Sequence, residues 1–582
     1  MTSDSRTRLP LEAMTTLEPI DRRATAHPGA ATVDFLTTAW VRRAVIIAIL
    51  VVAGTLAARD LTDEGAVSLQ GDMPRYMMNG VFLFDYFTSG RPWTINGLFH
   101  FAEQYYAQYP ALSLGHHPPL LPVSLAPVYA VFGVSVFWSR IAIIGFFFLA
   151  ICTLFSLASR LYDTRVAFWA TLLFATNPAV VSFGQAVLSE MPMLALVLLA
   201  MNALVRFRDS SRARDYAMFV LCAVGSLYAK QLALFVLPVY VLFLLVFIGW
   251  RRVLRRDVIL LTLLGLALCI PIAVITWVLS PFNVALVRFV STNTSSRLSP
   301  RPSVLWAIAT GHNSMLLLVI IAIGAIISIV RRDRRVALSL VWMTSSLLAV
   351  MFVTGRVDPP RYGMITVPAY FLCAAGPLAV LQSTAARRVA VLALSAAVVW
   401  HLWIGRDLRP TGADGYEAAA QYVLTQGSSP TILFSGPVDT GYFVFFVRKH
   451  DPERQHVVLR ADKLLTTSRM GRSSIQDRIK EPHEIYALLK KYGTRYIVLE
   501  DHPSDSRVID WLREEVKTSQ FAERLRIPIV TADKRLIGIS LAIFEYLEAQ
   551  PPDPTAQLDL NVPLVGRQVR VPLADLIDFD RQ

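Results

Sequence analysis

Gly71-Asp72-Met73-Pro74-Arg75-Tyr76 opens, and His116-His117-Pro118-Pro119-Leu120 closes, the stretch on which the reading of this chain turns. Between them lie aromatic residues, turn formers and the acid Glu103, a composition too polar to cross a bilayer. Upstream an apolar segment ends near Ala58, and downstream apolar segments follow one another as far as residue 405. A long polar loop held beside a membrane is a place where function concentrates.

The whole chain fits that setting. Its 582 residues are 54% hydrophobic and 17% charged, with a mean hydropathy of +0.47. Those values exclude a disordered chain and point away from an ordinary soluble enzyme. The net charge of +13 comes largely from Arg clusters between apolar runs, the pattern that anchors membrane helices, and no nucleic-acid motif accompanies it. Cys152, Cys222, Cys269 and Cys373 all fall in apolar runs without metal-ligand spacing and are read as core residues.

A spanning helix needs about 20 apolar residues. Segments 42–58, 137–159, 166–184, 191–205, 216–230, 232–250, 257–279, 312–330, 336–354, 362–382 and 388–405 meet that need, about eleven spans. With the N-terminus cytoplasmic, every inner loop is Arg-rich: Arg160 and Arg165, Arg206 to Arg214, Arg251 to Arg256, Arg331 to Arg335, and Arg387-Arg388. The outer loops are then 59–136, the Ser189-Glu190 and Lys230-Gln231 corners, 280–311 and 355–361. Residues 118–134 are apolar but carry Pro118, Pro119, Pro122 and Pro127, and counting them as a span breaks the Arg pattern; they are predicted to form a juxtamembrane helix on the outer face.

Residues 1–40 read as a cytoplasmic tail and 41–405 as the membrane domain. Residues 406–550 turn soluble. Thr431–Ser435, Tyr442–Val447, His456–Leu459 and Arg495–Glu500 read as strands, and Gly415–Thr425, Pro482–Tyr492 and Asp505–Lys517 as helices, an extracytoplasmic α/β domain. A tail, 551–582, follows Pro551-Pro552. The expected fold is an α-helical polytopic membrane protein with that domain at its C-terminus, placed in the cell membrane.

Five groups of residues carry chemical potential, all on the predicted outer face. Asp72 is either a helix cap or a general base, with desolvation at the interface raising its pKa. Glu190, where one apolar run meets the next, is either a water-facing corner or a functional acid. Lys230 is the only Lys in the first 400 residues and suits either snorkelling or a phosphate. Arg361-Tyr362 follows Asp358-Pro359-Pro360, so Arg361 either pairs locally or grips phosphate through its planar fork. His116-His117 suit a phosphate or a sugar better than a metal.

Taken together these residues resemble glycosyltransferase family 39, of the GT-C type that uses polyprenyl-phosphate sugars. The family includes protein O-mannosyltransferases and lipid A aminoarabinose transferases. Its acidic motif followed by Arg-Tyr maps onto Asp72 to Tyr76, and its basic-Pro-Pro motif onto His117-Pro118-Pro119-Leu120. Its second acid followed by Pro maps onto Glu190-Met191-Pro192, its lysine onto Lys230 and its late Arg-Tyr onto Arg361-Tyr362. Two departures stand out. The acidic motif lacks an adjacent Asp-Glu pair unless Asp63-Glu64 supplies it, and the C-terminal domain lacks a three-repeat β-trefoil.

The resemblance implies transfer of a sugar from a polyprenyl phosphate to an acceptor hydroxyl on a protein, lipid or polysaccharide, with inversion. Asp72 would be the base and Glu190 its partner or the acceptor's. Lys230, Arg361 and Tyr362, with His117 and Arg75, would hold the donor phosphate. Residues 280–311, with Arg288 and Arg297, would form a mobile outer loop closing over the lipid. No nucleotide-sugar site is needed, and a divalent metal remains open. A transporter or flippase for a lipid-linked sugar predicts acids at the bilayer midplane and paired repeats, neither of which is visible. A non-catalytic envelope scaffold is the third reading.

Overall fold

The computed structural model describes residues 39–59, 61, 67–68, 72–277, 302–353, 359–406, 412–427, 429–436, 440–468, 475–504, 506–531, 536–562 and 567–577. The N-terminal tail as far as residue 38, Asp63-Glu64, Asp358 and, from the predicted mobile loop, Arg288 and Arg297 lie outside the described residues.

Each predicted span contains helix over its described residues, with breaks inside 166–184 and 312–330. The membrane domain runs through α1 (Ala39–Ala57), α2 (Met73–Thr88), α3 (Ile95–Gln108), α4 (Leu120–Phe132), α5 (Val136–Leu161), α6 (Thr164–Thr176), α7 (Pro178–Gln185), α8 (Glu190–Ser210) and α9 (Ala213–Ala229). It continues through α10 (Gln231–Ile248), α11 (Arg256–Trp277), α12 (Pro302–His312), α13 (Met315–Val330), α14 (Arg334–Val353), α15 (Arg361–Ala379) and α16 (Thr384–Gly405). Among the described residues, 7 helices are long and apolar enough to cross a membrane, or up to 9 if each of two bent pairs is one span. The bends are 64° between α6 and α7 and 106° between the α12 and α13 stretches. Pro178 explains the first, since it cannot donate within a continuing helix; Asn177 caps the restart by accepting from the Val180 N–H.

Within residues 118–134, Leu120–Phe132 form the short helix α4, and α2 packs closely on it. A Cβ on Gly80 would lie 2.9 Å from Leu125 and 3.1 Å from Tyr129, so only glycine permits the approach. The Arg-rich connections meet one another: Arg252 donates to the Arg208 carbonyl, Arg255 to that of Ser211 and Arg335 to that of Leu161. Cys222 and Cys373 are buried and Cys152 and Cys269 half-buried, all as free thiols.

The C-terminal domain is built on five strands, β3 (Thr431–Ser435), β4 (Val457–Arg460), β5 (Thr494–Glu500), β6 (Phe521–Pro528) and β8 (Ser540–Tyr546), in the order β4-β3-β5-β8-β6. β3 is parallel to β4 and β5, while β8 is antiparallel to β5 and β6. Loop and domain also share a sheet. β1 (Val67–Ser68) pairs with β2 (Gly412–Asp414), and β2 with β7 (Val530–Thr531).

One expectation needs correction. Tyr442–Val447 is not a strand but the core of a helix, α18 (Thr440–His450), after α17 (Tyr416–Thr425). Residues 442 to 447 are all fully buried, and an apolar run covered on every side carries no period to separate strand from helix. Within the stretch read as a tail from 551, Gln557–Val562 pairs with Arg567–Pro572 as an antiparallel hairpin.

Candidate active site

Helix α2 starts at Met73 with Pro74 in its first turn, where a missing N–H costs nothing. Asp72 sits at the N-cap but makes no side-chain cap bond. Its carboxylate is therefore free to turn outward, where Arg361 Nη1 donates to Oδ2 at 2.8 Å. Arg75, one turn on, is 3.5 Å from Oδ1, and His117 Nε2 is 3.7 Å from the same oxygen.

Glu190 opens α8, whose N-terminus favours negative charge, and it is buried. Its Oε1 accepts from Lys230 Nζ and from Arg361 Nε; its Oε2 has no hydrogen-bond partner among the described residues. Lys230 stands at the break between α9 and α10 and lies 4.9 Å from the centre of the Tyr362 ring. Arg361 enters from the start of α15, held tightly because a Cβ on Gly363 would collide with Ile308 and His312. Its planar fork thus bridges the two acids, a geometry open to Arg and closed to Lys. His117 stacks on Tyr76 with ring centres 4.5 Å apart, and the Tyr76 hydroxyl bonds Ser189, the residue before Glu190.

Burial pushes the Asp72 carboxyl up, while His117, Arg361 and Arg75 pull it down. The pull wins, and Asp72 titrates below the ordinary carboxylate range. Burial and the neighbouring His116 push His117 well below the usual histidine range, so its ring is neutral at pH 7. The contact that carries the Asp72 shift is therefore the guanidinium of Arg361 at 2.8 Å. This reverses the expectation of a desolvated carboxyl with a raised pKa: desolvation acts, and a cation in direct contact outweighs it.

All the site residues read from the sequence are together: Asp72, Arg75, His117, Glu190, Lys230, Arg361 and Tyr362 join one cluster. What the sequence did not reveal is the pairing. Arg361 was expected to await a phosphate, or to pair with Asp358 beside it, and instead it bridges two acids that lie 289 and 171 residues away. Tyr76 and Ser189 were also missed as partners; each lies next to a residue that was singled out.

Two carboxylates and three cations share the cluster, which leaves a surplus of positive charge and suits an anion. A divalent ion does not fit this set, because both acids are already engaged by cations. Among the described residues, no three His, Cys, Asp or Glu side chains gather as metal ligands.

Residues 116–277 match the family model of dolichyl-phosphate-mannose-protein mannosyltransferase. That match begins at the His116-His117 motif and takes in Glu190 and Lys230. No curated protein sequence matches the chain. Its structure is similar to ArnT from Cupriavidus metallidurans in the apo state, with 13% identity and TM-score 0.50 over 88% of this chain and 99% of that one. ArnT bound to undecaprenyl phosphate gives 14% identity and TM-score 0.50 over 87% and 99%. The Archaeoglobus fulgidus oligosaccharyltransferase in complex with Zn and sulfate gives 13% identity and TM-score 0.53 over 78% and 68%. The chain is a multi-pass membrane protein with the fold shared by ArnT and the Archaeoglobus fulgidus oligosaccharyltransferase, and its residues 116–277 are similar to the dolichyl-phosphate-mannose-protein mannosyltransferases.

Proposed function

We propose that the protein is an integral-membrane glycosyltransferase that moves one sugar from a polyprenyl phosphate to an acceptor hydroxyl, with inversion at the anomeric carbon. The observation that carries this reading is the convergence of Asp72, Glu190, Lys230 and Arg361 from four separate elements on one cluster, beside which Arg75 adds a surplus positive charge. The printed names of the similar proteins, mannosyltransferase and ArnT bound to undecaprenyl phosphate, support the donor class.

The acceptor oxygen attacks the anomeric carbon as its proton passes to an Asp72 carboxylate oxygen. The bond from that carbon to the phosphate oxygen breaks, and its electron pair leaves with the polyprenyl phosphate. Lys230 and Arg361 meet that growing charge, and donors fixed in advance in a dry site stabilise it far better than water does. Arriving phosphate competes with Asp72 for Arg361. Loss of that contact raises the proton affinity of Asp72, so donor binding makes it a better base. Glu190 holds Lys230 and Arg361 in register, and its free Oε2 accepts from a sugar or acceptor hydroxyl.

The Arg-rich connections support a cytoplasmic N-terminus and an extracytoplasmic C-terminal domain in the cell membrane. An impermeant thiol reagent should label a cysteine placed at Asp501 in intact cells, and labelling only after lysis would reverse this orientation.

The test is sugar transfer in membranes given radiolabelled polyprenyl-phosphate sugars. Wild type should transfer, and Asp72→Asn, inserted to the same level, should not. Equal transfer by both would remove Asp72 from the chemistry. Absence of transfer with every donor would remove the glycosyltransferase reading.

A further inference from the structure

The charge left over at the candidate active site is that of Arg75, and it lies on the side of the C-terminal domain, close to Lys463. Arg361 and Lys230 are engaged by the two acids, whereas Arg75 is 3.5 Å from Asp72 and keeps 42% of its side chain exposed. Across from it is the carboxyl end of β4, where Arg460 leads into the single turn Ala461–Leu464. Gln108 donates to the Arg454 and His456 carbonyls, and Arg460 Nη1 donates to the Pro110 carbonyl at 2.8 Å. These bonds fix the end of β4 against the loop that leads to His117. β4 runs parallel to β3, and open α/β sheets bind ligands outside the carboxyl ends of such strands.

Pairing within this group is incomplete. Arg460 closes its fork on Asp462, with Nε and Nη2 donating to the two carboxylate oxygens at 2.9 and 2.7 Å. Lys463 makes no hydrogen bond or ion pair among the described residues, and neither does the hydroxyl of Tyr106 on α3, a buried residue. Both lie within electrostatic reach of Arg75, Arg460 and Asp462. Burial weighs most on Lys463; with Arg460 and Arg75 it outweighs the attraction of Asp462 and holds the amine down at about 8. Asp462 shows that the group lines a cleft. Burial is the largest influence on its carboxyl, yet 45% of its side chain is exposed, so protein crowds it while one side stays open. Arg75 and Lys463 thus bring two positive charges to one opening whose acid is already taken by Arg460.

We propose that Arg75, Lys463 and Tyr106 form a phosphate site, which holds a phosphate group of the acceptor beside the hydroxyl that receives the sugar. Two unmatched positive charges suit a phosphomonoester, which carries about −1.5 to −2 at pH 7. Arg75 and Lys463 pair with its oxygens and the Tyr106 hydroxyl donates to another, while Arg460 and Asp462 hold the turn that carries Lys463. The site is separate from Lys230 and Arg361, which meet the leaving phosphate of the donor. The acceptor's part rests on the glycosyltransferase reading; the phosphate site rests on the cleft. A phosphorylated lipid headgroup and a phosphorylated polymer offer the same group.

The site is tested on the full chain in nanodiscs at pH 8 with pyridoxal 5′-phosphate, whose aldehyde condenses with a free amine and is fixed by borohydride. Pyridoxal, which lacks the phosphate, is the control. Peptide mapping should find Lys463 labelled about tenfold more by the phosphate than by pyridoxal, with inorganic phosphate suppressing the label and Arg75→Gln lowering it several-fold. Equal labelling by the two aldehydes, or label on Lys463 no stronger than on the exposed Lys517, would overturn the site. The acceptor is tested with radiolabelled donor and, as acceptor source, membranes from cells lacking the protein. Lys463→Gln should raise the amount of membrane needed for half-maximal transfer about tenfold with little change in maximal rate, and Lys463→Arg should restore it. The wild-type product should bind an anion exchanger and lose that binding after phosphatase treatment. Its partition into organic solvent identifies a lipid acceptor, and its retention in water a polymer. An uncharged product, or unchanged half-saturation in Lys463→Gln, removes the acceptor from this site and leaves the enzyme reading intact. Phosphate-selective label without transfer from any donor sinks the enzyme reading and leaves the phosphate site. Should Lys463→Gln fail to fold, the comparison of the two aldehydes on wild type and the charge of the product decide.

Discussion

Helix α2 carries an acid near each end, and the two are treated in opposite ways. Asp85 is buried against the C-terminal domain, where Arg448 donates to both its oxygens and the Tyr105 hydroxyl donates to Oδ2. Arg448 also bonds the Asp451 carbonyl, and the Asp451 carboxylate accepts from Tyr109, Gln455 and His456. Asp85 and Arg448 are thus matched charge to charge, and the Asp451 carboxylate is enclosed by donors. At the other end, around Asp72, cations outnumber carboxylates, and Glu190 Oε2 and His117 Nε2 are buried without hydrogen-bond partners among the described residues. A closed network holds structure; an open one with surplus charge holds a place for a ligand. One rigid helix therefore ties the docking of the domain to the position of the candidate base.

The comparison can be broken at either end. Asp72→Asn should cut transfer by ~10²–10⁴-fold, the range of a general base, and leave the melting temperature near that of wild type. Arg448→Met should do the opposite: it strands Asp85 in a dry interface and should cost about 3–5 kcal/mol of stability, read by thermal melting in detergent. Adding Asp85→Asn should restore most of that loss, because the cost is an unpaired charge rather than a missing contact. If Asp72→Asn unfolds the protein while Arg448→Met leaves it stable, the two roles are assigned to the wrong ends.

Lys230→Met sharpens the contrast at the open end. It removes one charged hydrogen bond, worth about 1.5–3 kcal/mol, and should weaken donor binding by roughly 10–100-fold with little change in melting. A pure loss of stability would make Lys230 a structural counter-ion of Glu190.

The smallest effect is one of pH at the closed end. Burial pushes the Asp451 carboxyl up, but hydrogen bonds from His456 and Gln455 and the charge of His456 hold it below its ordinary value. A depressed carboxyl adds stability that is present above its unfolded pKa of about 3.9 and is lost as pH falls through the folded value. Melting should therefore fall below about pH 4 in wild type, and less steeply in Asp451→Asn. Identical slopes would show that this network does not carry acid sensitivity.

The hydropathy of the chain made its membrane helices legible, whereas the bend at Asn177-Pro178 inside the predicted span 166–184 went unread although Pro178 marks it. Tyr442–Val447 was misread because an apolar run buried on all sides is compatible with either a strand or a helix. β6 escaped notice because Glu523, Arg524 and Arg526 give it the look of a surface loop, while backbone pairing with β8 makes it a strand. Asp85 left a signal that went unused: an acid between Phe84 and Tyr86 in an apolar helix demands a buried partner. Nothing near it in sequence named Arg448, 363 residues away.

By itself the sequence determined the membrane setting, the α/β character of the C-terminal domain and a set of candidate residues that the fold brings together, because apolar length, Arg distribution and short motifs are local properties of a chain. Only the tertiary structure decided that Arg361 bridges Asp72 and Glu190, that Asp72 is depressed rather than raised, and that the C-terminal domain brings Lys463 close to Arg75. Those are matters of distance between remote residues, and the energy of a charge depends on what stands beside it in space.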